Sequence, residues 1–104
     1  MTSLGGWSAF DITESTKATF RSQMRLAGKN KPSGELVWAG QQIVSGSNLA
    51  YIVRSTSGTF YGYKFYKPLQ GDIKLTNEAT NSNIEQLANA LGADRAYNCK
   101  PANL

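Results

Sequence analysis

No histidine occurs among the 104 residues. Of the side chains that usually carry acid–base or nucleophilic chemistry, the chain keeps seven carboxylates, spread from Asp11 to Asp94, and a single thiol, Cys99. Without imidazole neither a Cys–His nor a Ser–His nucleophile pair can be assembled. The commonest metal ligand and the usual proton switch near neutral pH are missing with it. A metal site would have to be built from the carboxylates, and they are widely dispersed. The inventory points away from an enzyme, a metal or a cofactor, and toward a protein that acts by binding.

Whatever is bound must be presented by a small fold. A chain of 104 residues suits one compact domain, and such a domain buries roughly two thirds of the surface that its unfolded chain exposes. Eleven aromatic residues, two of them Trp, supply a core. Residues 1–10, with Leu4, Gly5, Gly6 and Trp7, read as an extended arm hinged at the glycine pair. Asp11 as N-cap and Glu14 three residues on form a capping-box pattern. The stripe Ile12, Phe20, Met24 and Ala27, with Thr16 filling one turn, then predicts a helix that stops at Gly28. That stripe is thin, so the helix must lie on a sheet to be stable.

Extended runs follow from Leu36 to Val44, Leu49 to Arg54, Thr59 to Tyr66 and Ile73 to Thr76. Turn clusters separate them at 45–48, 55–58 and 67–72, which predicts an antiparallel four-stranded meander. The fold class is α+β, a two-layer arrangement of sheet and N-terminal helix over residues 11–76. A second capping-box pattern, Ser82 with Glu85, opens a C-terminal helix over residues 82–92 with the stripe Ile84, Leu87, Ala88 and Leu91. That helix could cover the open face of the sheet, lie beside it, or mediate self-association.

Within this frame, Gln42, Val44 and Gly46 stand at alternate positions of Gln42-Ile43-Val44-Ser45-Gly46, at the first turn after a helix and a strand. A glycine precedes the helix (Gly5 or Gly6), and Lys67-Pro68-Leu69 occupies a later turn. With Phe20-Arg21-Ser22-Gln23-Met24 in the helix, the first three quarters of the chain resemble the cystatin superfamily, and its stefin-like members most. The resemblance implies a cystatin-like fold and reversible inhibition of papain-like cysteine proteases, papain and the cathepsins among them. Its implied protease-binding residues are Leu4, Gly5 and Gly6 in the arm, Gln42, Ile43, Val44, Ser45 and Gly46 at the first hairpin, and Pro68 and Leu69 at the second. Together they would form a wedge. Val44 would fill a dry part of the cleft, Gly46 would allow close approach, Gln42 would hydrogen-bond across its loop, and Pro68 would stiffen the second tip. The second hairpin lacks the Trp of many secreted cystatins. No Ser-Asn-Asp segment follows the first helix, so legumain-type proteases are not implied as targets. The resemblance also implies a monomer that can exchange its first helix and strand in a swapped dimer, hinged at Val44.

The net charge is +4, but the basic residues are scattered, and no run of five like charges occurs. They read as solvated surface rather than a nucleic-acid face. No apolar segment is long enough to span a membrane, and residues 1–4 lack the features of a signal peptide. A lone Cys forms no intrachain disulfide, so a reducing, cytoplasmic setting is expected. The alternative function is a cystatin-fold domain that binds another protein, a peptide or single-stranded nucleic acid, the last through an aromatic platform on Phe60 to Tyr66.

Overall fold

Leu49-Ala50-Tyr51-Ile52-Val53 form the only unbroken run of five buried residues among those described, and the architecture is built around them. The computed structural model describes residues 6–93. A strand buried on both sides must be central and covered on both faces. This one, β3 (Gly46–Ser55), is the middle strand of a five-stranded antiparallel sheet ordered β1-β2-β3-β4-β5. The other strands are β1 (Trp7–Ala9), β2 (Gly34–Val44), β4 (Phe60–Lys67) and β5 (Lys74–Asn81). Helix α1 (Glu14–Leu26) joins β1 to β2, and helix α2 (Ile84–Ala90) follows β5.

Side-chain alternation splits β3 between two cores. Leu49, Tyr51 and Val53 pack with Phe20 and Met24 of α1, while Ala50 and Ile52 pack with Leu87, Ala88 and Leu91 that follow β5. On the α1 side, Phe20 stacks at 4.8 Å from Tyr51 and 5.9 Å from Tyr63. Such ring pairs add about 0.5–1.5 kcal/mol beyond burial. On the α2 side the seat is small: a Cβ on Gly62 of β4 would lie 2.7 Å from Leu91 Cδ1 and 3.0 Å from Leu87 Cδ1. Glycine there lets a helix of only seven residues sit close against the sheet.

Several sequence expectations are corrected. The sheet has five strands rather than four, because Trp7–Ala9 pair with Gly40–Gln42. Three residues are too few for alternation to show in sequence, yet pairing lets Trp7 and Ala9 join the α2-side core. Strand β5 runs to Asn81 rather than Thr76. It is an edge strand whose polar residues face solvent, so it carries little apolar signal. The architecture has three layers rather than two, since α2 covers the face that α1 leaves open. The helix N-caps are Thr13 and Asn83, not Asp11 and Ser82. Thr13 Oγ1 accepts from the Thr16 amide at 3.2 Å, whereas Asp11 offers only its main-chain carbonyl, to Thr16 Oγ1 at 2.7 Å. Asn83 Oδ1 accepts from the Glu85 and Gln86 amides at 2.9 and 3.0 Å. Competing cap residues one or two positions apart all satisfy the same preference.

A register shift between Leu36 and Trp38 matters for the second layer. Strict alternation would put both side chains on one face. The extra residue at Val37 sends Leu36 to the α1 core and Trp38 to the α2 core, where Trp38 lies 6.5 Å from Trp7.

Candidate functional site

The β2–β3 connection is tighter than its turn-rich sequence suggests. Val44 pairs with Gly46, so Ser45 alone forms the tip, and Ser47 and Asn48 belong to β3 rather than to a loop. Gly46 makes this possible. Its φ is +97°, in the region that side chains rarely adopt. A Cβ there would collide with the Lys67 carbonyl oxygen and stand 3.0 Å from Pro68 Cα. The hairpin tip and the end of β4 are therefore in backbone contact at Gly46.

Two side-chain hydrogen bonds hold the tip. Asn48 Nδ2 donates to Gln42 Oε1 at 2.9 Å across the strand pair. Tyr66 of β4 donates its hydroxyl to the Ser45 carbonyl. Neither Asn48 nor Tyr66 was singled out by the sequence. Asn48 stands directly opposite Gln42, a relation legible only once Ser45 is known to be the whole turn. Tyr66 looked like one more aromatic of an alternating strand.

Strand order then brings the sequence-predicted residues to one end of the sheet. Trp7 pairs with Gln42, which puts Gly6 beside the Ile43–Val44 end of β2. Ser47 pairs with Lys67, which puts Pro68 beside Gly46. Gly6, the Ile43–Gly46 tip and Pro68–Leu69 thus follow one another across neighbouring strands. Ile43, Val44 and Pro68 are half-buried, Ser45 is exposed, and Leu69 is, among the described residues, one of two large apolar residues standing clear of the surface, at 79% exposure. Leu4 and Gly5 lie outside the described residues, as does Cys99. Behind the rim, Lys64 Nζ sits 5.9 Å from the Trp7 ring centroid, a cation–π distance.

No carboxylate or imidazole belongs to this rim. The perturbed titrations lie elsewhere, in the α1 core. Burial pushes the Tyr51 phenol up to about 12, offset in part by the side chain of Gln23. Burial also raises Tyr63, with Glu78 and Tyr61 adding to the shift. Among the described residues no three of His, Cys, Asp or Glu are grouped to hold a metal ion. None of their helices is long and apolar enough to cross a membrane. No protein-family model matches the chain, and no curated protein matches it significantly. Among the described residues the rim presents apolar side chains, Ile43, Val44, Pro68 and Leu69, on a backbone tied by the Asn48 and Tyr66 hydrogen bonds.

Proposed function

We propose that this chain is a cystatin-like reversible inhibitor of papain-like cysteine proteases, a non-catalytic wedge whose leading edge is the rim. The observation that carries this reading is the alignment of Gly6, the Val44–Gly46 tip and Pro68–Leu69 along one end of the sheet. It is supported by the strand–helix–four-strand order, with α1 packed across one face of the sheet. Helix α2 on the opposite face is an addition that the cystatin resemblance does not account for.

Papain-like clefts are V-shaped and lined by apolar groups. Val44 is already half-buried, so covering the rest of it contributes about 1 kcal/mol, and the exposed Leu69 adds a second apolar contact from the neighbouring tip. The hydrogen bonds from Asn48 and Tyr66 hold the first tip before binding, which lowers the ordering cost. Pro68 does the same for the second tip. Filling the cleft on both sides of the catalytic cysteine presents no peptide carbonyl for attack, so the wedge blocks the enzyme without being cut.

The test is a titration of papain with the protein. Reversible inhibition in the submicromolar range is expected, and Val44→Asp should weaken it at least about tenfold while leaving the circular dichroism spectrum unchanged. Papain that stays fully active at tens of micromolar would leave a cystatin-fold domain with a partner other than a protease.

A further inference from the structure

At the far end of the sheet from the rim, α1 and the start of β2 enclose a cleft of about 150 Å³. Its floor is apolar: Phe20, Leu36 and Val53 are all buried. Its walls are cationic, formed by Lys17, Arg21 and Lys31. We propose that this cleft binds a small carboxylate carrying an aromatic or branched apolar body.

The charges around the cleft do not cancel. Glu35, also at its edge, pairs with Arg54 at 3.2 Å in an exposed contact, so three cations of the cleft face one carboxylate. Lys17 touches Glu14 at 3.2 Å, in an exposed pair three residues apart on α1. Such pairs contribute little, so Lys17 can turn to a ligand at small cost. Arg21 and Lys31 have no acidic partner among the described residues. Lys17 and Arg21 are one helical turn apart with Phe20 between them, so the floor and two of the cations come from the same side of α1.

Size and chemistry select the ligand. A cavity near 150 Å³ accommodates a single benzene-sized ring. A guanidinium takes a carboxylate through two parallel hydrogen bonds, and the lysines add point charges. A bare inorganic anion would leave the apolar floor unused, and an uncharged ring would leave the cations unused. Leu36 is eight residues before Val44 in β2, about 26 Å along the strand. The cleft is therefore separate from the rim, and its occupancy stands or falls independently of protease inhibition.

Benzoate is the probe, followed by amide chemical shifts in the ¹H–¹⁵N correlation spectrum of the whole protein. Saturable shifts centred on Phe20, Leu36 and Val53 are expected at millimolar benzoate, with benzyl alcohol and acetate each at least about tenfold weaker. The Arg21→Gln, Lys31→Gln double variant should keep its dispersed spectrum and bind benzoate about tenfold more weakly. Shifts that fail to saturate by about 50 mM, that benzyl alcohol reproduces, or that persist unchanged in the double variant would overturn the proposal.

Discussion

Tyr51 shows how one residue can tie the core to solution conditions. Its ring packs against Phe20 and, edge-on, against Phe65 at 5.9 Å, and it is 1% exposed. Its phenol, raised to about 12 in the folded chain, ionises near 10 once unfolded. Between those values the unfolded chain releases a proton that the folded chain keeps. The stabilisation is therefore complete below about pH 10 and lost as pH climbs through 12, a total of roughly 3 kcal/mol. Urea unfolding at pH 8 and pH 11 should show a distinctly smaller loss of stability for Tyr51→Phe than for the parent. Equal losses in the two proteins would remove Tyr51 as the cause. At the rim the same scale explains what the sequence displayed and what it hid. Gln42, Val44 and Gly46 drew notice through an alternate spacing at the first turn that resembles the cystatin signature, not through their residue types. Asn48 and Tyr66 were not, because a hydrogen bond to a main-chain carbonyl or to a facing amide leaves no spacing pattern along the chain.

The elements differ in how openly the sequence declared them. Helix α1 and strands β2 to β4 were visible from their apolar periodicity, although every boundary except the Val44 end of β2 moved by a residue or more. Strand β1 was hidden by its length, β5 by its polarity, and the turn of Trp38 onto the second face by a bulge at Val37 that no residue type announces. The position of α2 was legible in principle. Gly62 interrupts an aromatic strand where a side chain of ordinary size would have served, and its place is taken by Leu87 and Leu91. That seat makes a prediction. Gly62→Ala should lower stability by about 1–2 kcal/mol, because its Cβ presses on Leu91. Leu91→Ala alone should cost about 2–4 kcal/mol by leaving a cavity. In the double variant the new methyl occupies part of that cavity, so the combined loss should fall short of the sum by about 1 kcal/mol or more. Urea midpoints of the four proteins decide it, and strict additivity would mean that α2 does not rest on Gly62.

At the scale of the whole molecule, two covered faces leave the ends and edges of the sheet for recognition. This bears on the alternative that the aromatic strand serves as a stacking platform for single-stranded nucleic acid. Such platforms need several rings on an open face beside a basic groove. Here Tyr61, Tyr63 and Phe65 are on the α1 side, Phe60 is packed on the α2 side, and Tyr66 is tied to the hairpin tip. The cations are spread as well: Lys29 is paired with Glu78 at 3.0 Å, Arg54 with Glu35, and Lys64 lies by Trp7. A net charge of +4 without rings to stack on supports only loose, salt-sensitive attraction. Fluorescence anisotropy with a labelled oligothymidylate should therefore show weak binding at about 20 mM salt that vanishes by about 150 mM. Binding that survives the higher salt, is lost in Tyr66→Ala and is kept in Tyr66→Phe would restore the nucleic-acid reading, because phenylalanine keeps a ring to stack on while removing the hydroxyl that ties the tip at Ser45.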